Sequence, residues 1–212
     1  MEVEFEGRVA IVTGASTGIG AATADLFEER GARVIRASRS TGFDVSNEAD
    51  VARLFEQPVD IVINNAGTIE VARLQELTTE AWDRTFAVNV RGAYLMCRYA
   101  LPSMIARRSG AIVNVASISG VFGPQKFPGF TAYCASKAAL ISLTESLAVE
   151  VNEHGIRVNC VSPGSVDTKM WAEVSNNAPA AMTPREIAEA IAFLASERSR
   201  PMNGQNLNVW SV

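Results

Sequence analysis

The sequence contains a single histidine, His154, and this scarcity limits the catalytic sites that the chain can build. A Ser-His-Asp hydrolase or a histidine-based zinc site would have to depend on that one residue. His154 precedes Gly155 at an expected helix end, where a favourable contact with the helix dipole is the simpler explanation. We therefore expect neither a histidine-dependent hydrolase nor a metal site.

Cysteine is scarce, and long apolar runs and excess positive charge are absent from the sequence. Cys97, Cys134 and Cys160 have no metal-site spacing and lie in apolar segments, so we expect them to be reduced and buried. No apolar run reaches the ~18 residues of a membrane span, and the acidic N-terminus is unlike a secretory signal. A net charge of -4 argues against a nucleic-acid or membrane-binding surface. These features predict a soluble cytoplasmic protein.

Apolar residues are plentiful, and their arrangement indicates the fold. They make up 48% of the 212 residues, which is enough for one domain over residues 1–212 with one sizeable core. Short apolar runs alternate with helical patterns along the chain, so we expect an α/β fold, a Rossmann-type doubly wound parallel sheet with helices on both faces. The expected strands are residues 9–12, 33–37, 59–63, 111–116, 156–161 and 206–210.

The segment between the second and third of these runs is short. It has room for one helix over about residues 47–55, with Ser46 as its cap. Residues 39–44 are too few for the crossover that a further parallel strand requires. We therefore expect the strand near residues 43–45 to be shortened to a stub or missing from the sheet.

Two long helices and one short helix complete the prediction. The long helices cover about residues 79–107, with Thr79 as cap and a bend at Pro102, and about residues 130–153. Thr183 and a helix-compatible proline begin the last helix. Residues 167–181 are weakly patterned and could form a lid.

A glycine-rich turn follows the first strand and leads into a helix over about residues 21–30. Gly14, Gly18 and Gly20 let an anion approach the backbone, while unpaired N–H groups and the positive end of the helix dipole point at one spot. The turn therefore suits a diphosphate. Its Gly-x-x-x-Gly-x-Gly spacing departs from the G-x-G-x-x-G fingerprint, and a tight turn with close helix packing is the alternative.

The end of the second strand bears on cofactor choice. A carboxylate there would select NAD, whereas this chain has Ser38, Arg39 and Ser40. The fork of guanidinium donors suits a 2'-phosphate, so the pattern favours NADP(H) over NAD(H). An ordinary solvated arginine is the alternative explanation.

Tyr133 and Lys137 form the clearest candidate for proton transfer. They are four residues apart in an expected helix and therefore lie on the same face. A nearby ammonium favours phenolate and lowers a pKa that starts near ~10, which would allow Tyr133 to exchange a proton near neutral pH. The pair alone could also be an ordinary helical contact between an aromatic and a cationic side chain.

Together, an ordered set of motifs resembles the short-chain dehydrogenase/reductase family, and particularly its NADP-preferring carbonyl and ketoacyl reductases. The set spans nearly the whole chain, and the turns at Gly14, Asn65, Ser117 and Pro163 all follow expected strands, whose carboxyl ends share one edge of a parallel sheet. The motifs are Thr13-Gly14-x-x-x-Gly18-x-Gly20, Asn64-Asn65-Ala66-Gly67, Ser117, Tyr133-x-x-x-Lys137 and Pro163-Gly164-x-Val166-x-Thr168.

The resemblance implies a role for each matching residue. Tyr133 would be the proton donor or acceptor, and Lys137 would lower its pKa and hold the nicotinamide ribose. Ser117 would hydrogen-bond the substrate oxygen, with Ser119 as its competitor, and Asn89 would support a water leading to the lysine. The implied cofactor-binding residues are Thr13, Gly14, Ser16, Thr17, Gly18, Ile19, Gly20, Ser38, Arg39, Asp44, Val45, Asn65, Ala66, Gly67, Tyr133, Lys137, Pro163, Gly164, Val166 and Thr168.

The resulting hypothesis is an NADP(H)-dependent carbonyl or ketoacyl reductase. An NAD-dependent secondary-alcohol dehydrogenase and a non-catalytic NADP-binding sensor are the alternatives. Aromatic residues in the loop over residues 121–129 and in the lid segment, including Phe127 and Trp171, favour an apolar or aromatic ketone. Because the family often assembles through its two long helices, the resemblance also implies a homo-oligomer, either a tetramer or a dimer.

Overall fold

The computed structural model describes residues 4–123 and 126–210 and contains one six-stranded parallel sheet. The first residues of the acidic N-terminus and two residues of the loop over residues 121–129 lie outside this description. The strand order is β2-β1-β3-β4-β5-β6, which confirms the predicted α/β sheet. The strands are β1 Val9–Thr13, β2 Arg33–Ala37, β3 Ile61–Asn64, β4 Gly110–Val115, β5 Ile156–Pro163 and β6 Asn206–Val209.

Helices cover both faces of the sheet, as the alternating pattern predicts. They are α1 Gly18–Glu29, α2 Glu48–Arg53, α3 Thr79–Phe86, α4 Gly92–Arg107, α5 Thr131–Val151, α6 Lys169–Val174 and α7 Pro184–Ala195. Successive residues of a strand face opposite sides, so Val12 packs in the layer with α1 and α7, whereas Ile11 packs in the layer with α2, α4 and α5. None of the helices in the described ranges is both long and apolar enough to cross a membrane.

The strand that was expected near residues 43–45 to be a stub or missing is absent from the described sheet. Residues Arg39–Thr41 form a single 3-10 turn, and within the described ranges no strand lies between β2 and α2. The predicted cap of α2 was wrong by one residue. Asn47 caps the helix by accepting a hydrogen bond from the Ala49 N–H at 3.0 Å, because the Ser46 hydroxyl donates to Asp44 instead. The strand β2 is therefore an edge of the sheet.

The first long helix is interrupted. Its cap is Thr78 rather than Thr79, since the Thr78 hydroxyl accepts from the Ala81 N–H at 3.2 Å. One turn of π-helix, Ala87–Arg91, joins α3 to α4, and Pro102 lies inside α4 as expected. This wider turn carries Asn89.

Two of the three cysteines follow the expectation. All three are free, and Cys97 and Cys160 are buried. Burial raises the pKa of Cys160 to about 11. Cys134, in the first turn of α5, is only half-buried, so the expectation of burial was wrong for this cysteine. It lies near the ammonium of Lys126, a residue of the loop before α5.

Arg157 ties β5 to the end of α7. Its guanidinium donates to the carbonyl oxygens of Leu194 at 2.8 Å, Ala195 at 3.1 Å and Ser196 at 2.9 Å. These carbonyls carry the negative end of the helix dipole, which a cation stabilises. We predict that Arg157→Met lowers the free energy of urea unfolding by about 2 kcal/mol. Substituting the exposed Arg200 with methionine is the control, and an equal loss in both variants would refute this role.

Candidate active site

The turns after β1, β3, β4 and β5 line one cavity of about 790 Å³. This volume falls in the range of ~300–1,000 Å³ that is typical of small-molecule sites. Gly14, Asn65, Ser117 and Pro163, which mark the four turns, all line it. The carboxyl edge of the sheet is therefore one continuous site, as expected for an open parallel sheet.

The glycine turn forms one wall of the cavity, through Gly14, Ser16, Thr17, Gly18 and Ile19. Gly14 and Gly18 have φ values of +66° and +57°, which disfavour any residue with a Cβ atom. Within the described chain, the Thr17 side chain makes no capping bond to α1, so the first N–H groups of this helix are not used by a cap. This arrangement fits a diphosphate.

Two predicted residues shape this wall from behind. Thr13 is buried, and its hydroxyl accepts hydrogen bonds from the N–H groups of Asn65 and Ala66, both at 3.0 Å. A Cβ atom on Gly20 would overlap the carbonyl oxygen of Gly14. In the described structure neither Thr13 nor Gly20 lines the cavity, and both hold the turn in place.

The end of the cavity that is formed by residues after β2 is polar. Ser38 and Arg39 line it together with Ser40, which sequence reasoning did not count among the binding residues. The Ser38 and Ser40 hydroxyl oxygens are 2.8 Å apart, and Arg39 is exposed. Ser40 could have been identified from the sequence, because it directly follows Arg39 and its hydroxyl can also bind a phosphate.

Asp44 and Val45 close this end. The Asp44 carboxylate accepts hydrogen bonds from the hydroxyl and the N–H of Ser46, at 2.6 and 2.8 Å. These bonds, followed by the charges of Arg39 and Arg91, hold the pKa of Asp44 below its usual range. The carboxylate is thus a fixed acceptor at the rim.

Lys137 lies at the inner wall, where it is 4% exposed. Its Nζ donates to the Val115 carbonyl oxygen at 2.8 Å and lies 5.7 Å from the centre of the Tyr133 ring. Burial lowers the pKa of Lys137 to about 8. Gly67 lies beside this Nζ, since a Cβ atom built on the glycine would be in van der Waals contact with it at 3.4 Å.

Tyr133 faces the same cavity, but its pKa moves against the expectation. Burial raises the pKa of Tyr133, and the neighbouring Ser117 side chain opposes the rise only in part. The expected net lowering was therefore wrong for the protein by itself. The four-residue spacing predicts correctly that Lys137 lies near the ring. It cannot predict that the Tyr133 hydroxyl is buried, and burial is what raises its pKa.

Ser117 and Ser119 both line the cavity. The Ser117 hydroxyl lies close enough to Tyr133 to act on its pKa, and it caps the following turn by accepting from the Ser119 N–H at 3.2 Å. Gly120 packs against α5, where a Cβ atom would lie 2.6 Å from the Lys137 backbone carbon. This packing holds the turn that carries both serines against α5.

Asn89 lies behind the cavity, with its amide engaged on both sides. Its Oδ1 accepts from the Thr68 N–H at 2.8 Å, and its Nδ2 donates to the Thr68 carbonyl and the Ser136 hydroxyl, both at 2.9 Å. The Ser136 hydroxyl in turn donates to the Tyr133 carbonyl at 2.8 Å. In the described residues Asn89 does not line the cavity, and it connects the turn after β3 to the backbone of α5.

The remaining predicted residues border the opposite end. Pro163, Gly164, Val166 and Thr168 line the cavity after β5. Ala66 and Gly67, from the turn after β3, also line it, and Ala66 lies against Gly14. Thr168 caps α6 by accepting from the Trp171 N–H at 3.2 Å. The weakly patterned segment therefore contains a short helix that forms part of the wall.

Aromatic side chains surround this end. They are Phe127, Phe130, Trp171 and Trp210. Trp210 was not predicted, although β6 ends at the same sheet edge as the other strands and could have indicated it. A Cβ atom on Gly164 would lie 2.9 Å from the Trp210 Cβ, so that glycine admits the indole.

Comparisons with known proteins identify relatives along nearly the whole chain. A family model described as enoyl-(acyl carrier protein) reductase matches residues 36–209. The chain is 40% identical over 241 residues to a cis-4-hydroxycyclohexanecarboxylate dehydrogenase from Sinomonas cyclohexanicum, an alignment covering 97% of this chain and 96% of that protein.

Two solved structures share the fold and carry nicotinamide cofactors. A putative NAD(P)-dependent gluconate 5-dehydrogenase from Beutenbergia cavernae, with bound NADP, has a TM-score of 0.90 and 29% identity, with 98% of this chain and 97% of that chain covered. A 3-ketoacyl-(acyl-carrier-protein) reductase from Brucella melitensis, complexed with NADH, has a TM-score of 0.89 and 30% identity, with 97% and 98% covered.

Proposed function

The chain belongs to the short-chain dehydrogenase/reductase family of oxidoreductases, and we propose that it uses NADP(H) to interconvert an apolar or aromatic ketone and its secondary alcohol. One observation carries the proposal: Ser117, Tyr133 and Lys137 line the same cavity, on the wall formed by β4 and α5. A hydroxyl, a phenol and a buried ammonium are the groups needed to bind and protonate a carbonyl oxygen.

The proposed chemistry divides between cofactor and protein. When bound, the nicotinamide supplies or accepts the hydride. The raised pKa of Tyr133 keeps its hydroxyl protonated at neutral pH, which suits donation of a proton to the carbonyl oxygen. Ser117 hydrogen-bonds the same oxygen, and the ammonium of Lys137, held by Val115, stabilises the phenolate that remains.

The polar end of the cavity supports NADP(H) over NAD(H). A carboxylate at the end of β2 would bind the ribose hydroxyls of NAD, and this position is Ser38. The two serine hydroxyls and the exposed guanidinium of Arg39 instead offer donors to a 2'-phosphate. The glycine turn fits the diphosphate that either cofactor would bring.

Replacing Arg39 with alanine tests the cofactor proposal. We predict that the dissociation constant for NADPH, measured by calorimetry, rises about 10-fold to 100-fold, because a charge-assisted contact with the 2'-phosphate is lost. Binding of NADH should change by less than about twofold, and Arg200→Ala is the control. A native chain that prefers NADH would contradict the NADP(H) proposal and would favour the alternative, an NAD-dependent alcohol dehydrogenase.

The end of the cavity that is surrounded by aromatic side chains supports an apolar or aromatic ketone as substrate. Met170 and Trp171 from α6, Phe127 and Phe130 before α5, and Trp210 after β6 provide its walls. Apolar walls with a few placed polar groups are typical of sites for small organic molecules. Two of the relatives are named for substrates with an apolar body, a ring-shaped carboxylate and a 3-ketoacyl group, and the third is named for the polar gluconate. The apolar walls, and not these names, therefore support the proposal.

We also propose a homo-oligomer, either a dimer or a tetramer, formed through the outer faces of α4 and α5. Tyr94 on α4 is 45% exposed and Val149 on α5 is 81% exposed. Apolar side chains on the outer faces of long helices are candidates for subunit contacts. Light scattering on the purified chain should give two or four times 22.7 kDa, and a monomer mass would overturn this assembly.

A further inference from the structure

The outer edge of β2 has no neighbouring strand in the described sheet. Arg33 and Ala37 direct their backbone groups toward β1, since the Arg33 N–H donates to Arg8 and the Ala37 carbonyl accepts from Gly14. Along a strand these directions alternate, so Arg36 and the following Ser38 direct their backbone groups outward. These outward groups need other partners.

Thr41 supplies those partners. Its hydroxyl oxygen accepts a hydrogen bond from the Ser38 N–H at 2.9 Å. It also lies 3.0 Å from the carbonyl oxygens of Arg36 and Ser38, the two acceptors for its one proton. The Thr41 N–H also donates to the Ser38 carbonyl at 3.0 Å. One residue therefore pairs with the Arg36 carbonyl and with the backbone groups of Ser38 at the end of this edge.

The turn that Thr41 closes is the turn that presents the phosphate-binding residues. Ser38 is its cap, Arg39 and Ser40 are its next residues, and Gly42, with φ +82°, ends it. Ser38, Arg39 and Ser40 line the cavity, whereas Thr41 is not among the described residues that line it. Thr41 can therefore influence a ligand only through the other three.

We propose that Thr41 is a positioning residue for cofactor choice, which holds Ser38, Arg39 and Ser40 in the arrangement that binds a 2'-phosphate. The proposal rests on the NADP(H) preference put forward above. The shortened segment after β2 leaves this turn without support from a further strand, and the Thr41 hydroxyl supplies that support from within the turn itself. Loss of the hydroxyl frees the Ser38 N–H and the Arg36 carbonyl, and the turn can then move away from the phosphate.

The test compares Thr41→Val, which keeps the shape without the hydroxyl, with Thr41→Ser, which keeps the hydroxyl. Calorimetry measures binding of NADPH and NADH, and of two fragments, adenosine 2',5'-bisphosphate and adenosine 5'-monophosphate. Thr41→Val should weaken NADPH and the bisphosphate about 10-fold, as expected for one lost hydrogen bond, and change the other two ligands by less than about twofold. Thr41→Ser should restore the native values.

The outcomes separate this inference from the proposed function. If Arg39→Ala weakens NADPH while Thr41→Val does not, the positioning role is overturned and the cofactor proposal stands. If Thr41→Val weakens NADPH and NADH equally, or lowers the melting temperature without ligand enough to explain the loss, Thr41 is only structural and the inference is wrong. If Arg39→Ala leaves NADPH binding unchanged, the NADP(H) preference fails and the role of Thr41 fails with it.

Discussion

Replacing Tyr133 with phenylalanine should reduce kcat for ketone reduction by about 100-fold to 10,000-fold, the usual range for loss of a proton donor. The substitution removes one oxygen atom and keeps the ring, which packs edge-on against Phe130 with centroids 6.3 Å apart. The fold and the cavity walls should therefore be preserved. Stopped-flow measurement of NADPH oxidation with an aromatic ketone gives the rate, and calorimetry gives the dissociation constant of NADPH.

The control for this experiment is Tyr99→Phe, which removes from α4 a hydroxyl that donates to Glu48 at 3.1 Å, at a position that is not among the described residues lining the cavity. It should leave kcat and cofactor binding within about twofold of the native values. Near-native turnover by Tyr133→Phe would contradict the proposed proton donor. A native chain that binds NADPH but reduces no ketone in a broad screen would instead favour the non-catalytic sensor.

The sheet and its cavity could be predicted because they follow from local patterns. Each buried parallel strand is a short apolar run, and each run ends in glycine or a polar residue, so the shared edge of the sheet follows from the chain alone. The missing strand could also be predicted, because residues 39–44 are too few to build a crossover. These inferences need counting along the chain and no knowledge of distant contacts.

Prediction from the sequence is weakest where one polar side chain has several possible hydrogen-bond partners. Ser46 and Asn47 are both acceptable caps, and the choice depends on the carboxylate of Asp44, which captures the Ser46 hydroxyl. Asn89 is assigned its role by resemblance alone, and the partners that hold its amide, Thr68 and Ser136, are distant in sequence. Tertiary contacts determine which of these hydrogen bonds forms, and the periodicity of a helix or strand does not predict them.

The pKa of Tyr133 shows the same limit in electrostatics. Spacing along a helix predicts which charges are near, whereas burial depends on everything that surrounds the group. At Tyr133 burial is the larger effect and raises the pKa, so the phenol favours the protonated form until other charges enter the site. The protein by itself is thus better prepared for proton donation than for proton abstraction.

Replacing Lys137 with methionine should reduce activity and increase stability in the same variant. The ammonium that would stabilise the developing phenolate is lost, so kcat for ketone reduction should fall by about 100-fold to 1,000-fold. Stability should rise because a buried charge is replaced by an apolar chain of similar length, and the lost hydrogen bond to Val115 offsets only part of that gain. Urea unfolding at pH 7 should show a free energy of unfolding higher by on the order of 1 to 3 kcal/mol.

The pH dependence of this gain follows from the lowered pKa of Lys137, about 8 in the folded chain against 10.5 for an ordinary lysine. Below pH 8 both states carry the proton and the full cost of burying the charge is present. Between pH 8 and pH 10.5 the unfolded chain binds more protons than the folded chain, so native stability rises with pH and the advantage of Lys137→Met shrinks. Lys169→Met, at a lysine whose side chain is 82% exposed, should show neither the gain in stability nor its pH dependence. A Lys137→Met variant whose stability gain is absent at pH 7, or is independent of pH up to pH 10, would mean that the buried ammonium costs the fold nothing. In that case activity and stability would not be opposed at this residue.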